Sequence, residues 1–281
     1  TPSMRFRNLQ IYRLTAPFTL SPEELAQAIA ANSFKPCGSL AMQSYGWVSP
    51  LGRNGQELIH SASGRILLCA RKEEKMLPSS VIKDEIDERA LAIEEAEARS
   101  VGRKERQQLK DEVIFALLPR AFTRSSNTFA YIDPRNNWIV VDATSAKRAE
   151  DLLSLLREGI ESLPVRPLAV QRPPATVMTS WLSDNTSAND FVPQQECELR
   201  DPVEDGGVVR CRKQELFSEE VMSHLTAGKQ VTKLAVLWKE RINCIIADDL
   251  SIKRLSFEDV VLDELDHVDG SDELANFDAE F

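Results

Sequence analysis

Gly64-Arg65-Ile66-Leu67-Leu68-Cys69-Ala70-Arg71-Lys72 and Gly207-Val208-Val209-Arg210-Cys211-Arg212-Lys213 share one design: a glycine, an apolar β-forming run and a basic pair at the end. Each reads as a strand. Upstream of the first, Leu9 to Leu14 is another strand pattern, and Ser21-Pro22-Glu23-Glu24 opens a helix with a capping residue, an early proline and first-turn acids. Phe34-Lys35-Pro36 ends that helix, and a Gly/Ser-rich loop runs to about residue 64. Downstream, Ser79 or Ser80 caps a long charged helix with Val81, Ile82, Ile86, Ala90 and Ile93 at helical spacing, and Gly102 breaks it. A returning helix spans about 104–118. Residues 128–133 and 138–143 form a hairpin around Pro134-Arg135-Asn136-Asn137, and a helix over 145–159 closes the half.

The second half repeats this order. A strand over 167–170 precedes a helical pattern over 176–182; Phe191-Val192-Pro193 parallels Phe34-Lys35-Pro36; a helix over 218–225 and a hairpin of 229–238 with 241–248 follow. Glu112-Val113 matches Glu220-Val221, and Ser145-Ala146-Lys147-Arg148 matches Ser251-Ile252-Lys253-Arg254, at nearly constant offset. The expected fold is therefore α+β, with two pseudo-repeated halves and a long helical arm inserted into the first. The boundaries are 4–160 for the first half with its arm at about 79–118, 163–254 for the second, and 255–281 for an acidic C-terminal segment.

Composition narrows the class. In 281 residues, 42% are apolar and 28% charged, which suits a folded globular protein. No apolar stretch approaches the roughly 18 to 20 residues that span a bilayer. No secretion signal is recognisable, and Met4 reads as the natural first residue of a cytoplasmic protein. The five cysteines show no zinc-knuckle spacing and read as reduced thiols; the three histidines share no motif with a metal or nucleophile site. No cofactor and no metal is expected. The net charge of −10 is misleading, because residues 255–281 hold ten acids and no Lys or Arg, leaving 34 acids to 34 bases before them. A neutral body can carry a strongly basic face, since a polyanion responds to the local field over about one Debye length.

Catalytic motifs are absent: there is no phosphate-cradling loop, no dinucleotide fingerprint and no nucleophile elbow. Asp133, Asp142, Asp248 and Asp249 fall at strand ends, where a metal-dependent nuclease keeps its ligands, but aspartates there are also common turn residues and the turn reading is preferred. Basic residues cluster instead. Arg99, Arg103, Lys104, Arg106, Lys110, Arg120 and Arg124 face three acids, and the arm helix is expected to carry a positive stripe. A second cluster comprises Arg210, Arg212, Lys213, Lys229, Lys233, Lys239 and Arg241, with Arg210 and Arg212 on one strand face. Each cluster alone reads more simply as a solvated surface; two of them in two related halves point to duplex DNA. No strand interleaves aromatics with bases along the chain, and no recognition helix is evident, so phosphate contacts with little sequence preference are expected. Phe122, between Arg120 and Arg124, reads either as a plug for a partner's pocket or as core.

Six longer motifs carry a family resemblance: Asn8-Leu9-x-x-Tyr12-Arg13-Leu14, Phe34-x-Pro36-Cys37-Gly38-Ser39, Gly46-Trp47-Val48-x-Pro50, Cys69 to Pro78, Leu117-Leu118-Pro119-Arg120-Ala121-Phe122 and Val231-Thr232-Lys233-Leu234-Ala235. Together they resemble the bacterial RdgC family of recombination-associated proteins over nearly all of residues 4–281. The resemblance implies a nucleoid-associated homodimer, ring-shaped, that passes duplex DNA through a basic hole, binds single-stranded DNA more weakly, restrains RecA-promoted strand exchange and acts in replication-fork repair. By matching position it implies DNA-facing roles for Arg212, Lys213, Gln214, Lys229 and Lys233, joined by Arg71, Lys72, Arg120, Arg124 and Arg210 from the basic clusters. It also implies a dimer contact at Phe122, an arm that helps close the ring, and family chains that continue about a helix beyond Phe281. The competing readings are the strand-end aspartate nuclease, with Asp248 and Asp249 as ligands, and an acidic adaptor that binds RecA without DNA.

Overall fold

The computed structural model describes residues 6–188 and 190–266. In chain order the elements are β1 (Leu9–Leu14), α1 (Pro22–Ile29), β2 (Gln43–Val48), β3 (Ile59–Ala62), β4 (Arg65–Lys75), α2 (Ser79–Glu97), α3 (Arg103–Leu117), β5 (Thr123–Asp133), β6 (Trp138–Asp142), α4 (Ala146–Gly159), β7 (Val165–Pro167), α5 (Pro174–Ser183), β8 (Phe191–Arg200), β9 (Val208–Arg212), α6 (Glu219–Thr226), β10 (Gln230–Trp238), β11 (Ile242–Ala247), β12 (Ile252–Phe257) and α7 (Asp259–Asp266). The fold is α+β. All twelve strands join one antiparallel sheet in the order β2-β4-β5-β6-β1-β12-β11-β10-β8-β9, with β3 beside β4 and β7 beside β1.

Local chemistry explains the helix starts. Ser21 and Glu24 form a reciprocal capping box at α1, and the Ser145 hydroxyl accepts the Arg148 amide at α4. Amphipathic faces then bury Leu25 and Ile29 of α1 and Leu152, Leu153 and Leu156 of α4 against Ile66, Leu68, Ala130, Ile132, Ile139 and Val141 of the sheet. A second core packs Met178 and Leu182 of α5 and Val221 of α6 on Cys197, Leu199, Val231, Leu234 and Val236.

These two cores lie on opposite sides of the sheet. Directly paired residues in an antiparallel sheet share a face, and neighbours along a strand alternate. Leu9 pairs with Ile252, Ile252 with Ile246, and Ile246 with Leu234 of the second core. Leu9 therefore faces the second core's side, while Tyr12 and Leu14, one step out of phase on the same strand, belong to the first. We call the side under α1 and α4 the front. Helices α5 and α6 cover the back, so the second half leaves its front open; α1 and α4 leave the first half's back uncovered, although Leu67, Cys69 and Val140 are buried there.

Several expectations need correction. The supposed loop to residue 64 contains β2 and β3; Gly46 hides the strand signal, yet glycine is required because a Cβ there would sit 2.6 Å from the Phe34 backbone. No serine side chain caps α2, whose N-cap position is Pro78. The helix ends at Glu97, with Ala98 left-handed at φ 51°, and Gly102 instead precedes α3 as its N-cap residue. The strand expected at 167–170 lies at Val165–Pro167 and pairs with β1 of the first half. Phe191 begins a ten-residue strand, whereas Phe34 lies in coil beside β2. Ser145 caps a helix while Ser251 precedes a strand, and β4 is interior while β9 is an edge, so these sequence matches do not occupy equivalent structure. Of the acidic segment, residues 255–266 complete β12 and form α7, where Glu264 pairs with Arg241; residues 267–281 lie outside the described residues.

Candidate nucleic-acid interface

The open front of the second half is built by period-two side chains. On β8 Glu196, Glu198 and Arg200 alternate with core residues, and on β9 Arg210 and Arg212 stand directly opposite Glu198 and Glu196. A bulge in β10 sets Thr232 and Lys233 both toward Glu198. Glu198 is the hub: its carboxylate is 5% exposed and accepts from Arg200 Nε at 2.8 Å, Arg210 Nε at 2.9 Å and Thr232 Oγ1 at 3.1 Å, with Lys233 Nζ at 3.6 Å. Burial alone would raise its pKa, but the hydrogen bonds from Arg200, Arg210 and Thr232 and the charge of Lys233 outweigh it and hold the carboxyl down at about 2. Glu196 serves a second group, with Arg254 Nη2 at 2.7 Å and Arg212 Nε at 3.5 Å.

The outcome is a cleft of about 350 Å³ whose lining includes Arg210, Arg212, Lys233, Lys253 and Arg254, with Asn8 and Thr144 at its border with the first half. Arg210, Arg212 and Arg254 keep 58% or more of their side chains exposed, so their remaining N–H groups are free to meet an anion. Beyond Thr144, still on the front, a larger cleft of about 610 Å³ lies between α4 and the ends of β2, β4 and β5. Lys72, Arg124, Lys147 and Arg148 line it, mixed with Glu74, Asp151 and Glu158. Arg148 is held there by donating to Thr128 Oγ1 at 2.8 Å and the Asn127 carbonyl at 3.1 Å.

The structure sorts the residues singled out from sequence. Arg210, Arg212 and Lys233 meet on the second-half front, and Lys72 and Arg124 in the neighbouring cleft. Arg71 does not join its neighbour Lys72: it points to the back, lies 5.3 Å over the Phe34 ring, and its Nε is buried without a hydrogen-bond partner. Lys213 follows β9 with φ 53°, and Gln214 turns to the α6 side, donating to Glu220 and Ser218. Lys229 precedes β10, outside both clefts as lined by the described residues, and Arg120 is exposed at the end of the arm. The arm's positive stripe is partly spent, because Arg99 pairs with Glu105 and Glu97, and Arg106 with Asp87. Phe122 is 85% exposed, which removes the core alternative for it.

The aspartates do not converge. Asp133 accepts from Asn136 in the β5–β6 turn, Asp142 from the Arg7 and Asn8 amides, and Asp249 from Ser251, all turn and backbone duties. Asp248 stands beside Arg200. Sequence reasoning missed Glu196, Glu198 and Arg200, although their period-two spacing was available, and it used Lys253-Arg254 only as a mark of repetition. Among the described residues no helix is long and apolar enough to cross a membrane.

Comparison with known proteins agrees with the motif reading. One family profile, described as "Putative exonuclease, RdgC", matches residues 4–281. The chain is 48% identical over 278 residues to the recombination-associated protein RdgC of Tolumonas auensis, and 49% identical over 278 residues to that of Aeromonas hydrophila, each match covering 99% of this chain and 92% of the relative. The RdgC of Yersinia pestis is 48% identical over 276 residues, covering 98% of this chain and 91% of the relative. Motifs, fold-length match and identity together establish that this chain belongs to the RdgC family of recombination-associated proteins.

Proposed function

We propose that this chain is a non-enzymatic protein that binds duplex DNA with little sequence preference. It does so as a homodimeric ring that encircles the duplex in the nucleoid, restrains RecA-promoted strand exchange and serves replication-fork repair. The observation that carries the reading is the open front of the second half: in a chain of net charge −10, it gathers Arg200, Arg210, Arg212, Lys233, Lys253 and Arg254 around Glu196 and Glu198, with Asp248 beside Arg200. Arginines two apart on a strand stand about 7 Å apart, a spacing that can follow successive phosphates. They contact backbone without reading bases. The exposed Phe122 beside Met76 offers an apolar contact for the second copy, and the arm, with its own small core at Ala90, Val101 and Leu109, is stiff enough to project toward it.

The reading is tested by measuring affinity for unrelated duplexes against salt. A slope of about −0.9 per phosphate neutralised, alike for all sequences, supports it, and a salt-independent affinity overturns it. Encirclement is tested by washing complexes at high salt: covalently closed circles should be retained and linear duplex shed. The family description names an exonuclease, so the competing reading is tested directly with end-labelled duplex and Mg²⁺, where shortening of the label would favour it.

A further inference from the structure

We propose that the exposed end of the first half's back, around Arg13 and Trp138, is a second nucleic-acid site, specific for an unpaired strand, made by a row of arginine and aromatic side chains that runs across the sheet. Arg13 on β1 pairs with Trp138 on β6, and its guanidinium lies 4.8 Å over the indole. Trp138 pairs in turn with Asp133 on β5. The Ile66–Ile132 register then brings Arg65 of β4 beside Asp133, at 3.6 Å, and 5.9 Å over the Tyr131 ring. All of these point to the back, in phase with Leu9 and out of phase with Tyr12.

Two further arginines border the row. Arg166 of β7 stands directly opposite Arg13, and Arg135, in the β5–β6 turn, packs its guanidinium near Gly64 of the β3–β4 turn. Arg13, Arg135 and Arg166 are exposed, while Trp138, Tyr131 and Arg65 are half-buried. The carboxylate within this group, Asp133, is buried and already accepts from Asn136, so the four guanidiniums leave a strong local positive charge.

The chemistry selects the ligand. Guanidinium planes stacked on aromatic rings offer flat faces for bases and outward N–H groups for phosphates, the combination that proteins use for single strands. A duplex hides its base faces within the stack, so it can use only the charge. From β1 to β4 the row crosses three strand spacings, about 14 Å, which admits a short run of unstacked nucleotides. The site is on the opposite side of the sheet from the front clefts, so one chain has separate surfaces for duplex and unpaired strand. The stacked pairs, Arg13 with Trp138 and Arg65 with Tyr131, join residues far apart in sequence.

The test compares labelled oligothymidylate with duplex of equal length in fluorescence anisotropy, using full chains. Arg13→Ala with Arg166→Ala, and separately Trp138→Leu, should weaken oligothymidylate binding roughly tenfold and leave duplex affinity unchanged. Arg210→Ala with Arg212→Ala should do the reverse. Should Trp138→Leu fold poorly, the exposed Arg13 and Arg166 pair decides. The proposal is overturned if oligothymidylate is not bound by the parent chain, if its binding survives these changes, or if both ligands weaken together. If the Arg13, Arg166 and Trp138 changes weaken only oligothymidylate while Arg210→Ala with Arg212→Ala leaves duplex affinity unchanged, the front-face reading is refuted and this one stands.

Discussion

Glu198→Gln isolates the hub of the front face. The carboxyl is held at about 2 against an ordinary value of 4.5, a preference for the charged form in the folded state. At 1.36 kcal/mol per unit this corresponds to about 3 kcal/mol, which the solvent exposure of Arg210 and Arg200 reduces to about 1 to 3 kcal/mol. Because the folded pKa is depressed, the stabilisation is complete above pH 4.5 and is lost as pH falls from there through about 2. Glutamine keeps the shape and an acceptor oxygen but leaves three cations around a neutral amide, so the variant should be less stable by that amount at neutral pH. Urea unfolding of both proteins, repeated at decreasing pH, should show the gap narrowing below pH 4.5 as the parent's own carboxylate is protonated. A gap independent of pH, or a more stable glutamine variant, would refute the assignment of Glu198 as the charge that orders Arg200, Arg210 and Lys233.

Other outcomes are expected from single features of the structure. Arg210→Ala with Arg212→Ala should weaken all duplexes alike and reduce the salt slope by about 1.8, measured by anisotropy across a salt series. Gly46→Ala should cost about 1 to 3 kcal/mol in urea unfolding, since a Cβ there meets the Phe34 backbone and the Asn32 carbonyl below 3 Å. Leu109→Ala removes a buried side chain from the arm's small core and should speed amide exchange across α2 and α3 while the sheet stays protected. Phe122→Ala should leave thermal stability within about 0.5 kcal/mol, because the ring is 85% exposed, but should raise the dimer dissociation constant in sedimentation.

Local chemistry made much of the fold legible. The Ser21 capping box, the Ser145 cap, the hairpin at Pro134 to Asn137 and the period-two run Arg210-Cys211-Arg212 all depend on neighbours within a few residues, and each is found where the pattern puts it. The same periodicity places Arg210 and Arg212 on one face without saying which face lies open. That depended on non-local pairing. The Leu9–Ile252 register joins the halves so that helices cover opposite sides, which sends Lys72 to a front cleft and its neighbour Arg71 onto Phe34 at the back. Glu198 binding three bases, and Arg13 lying over Trp138, likewise join residues from different strands. Sequence spacing is a distance along the chain, whereas charge and stacking act through space, and only the folded sheet sets one against the other.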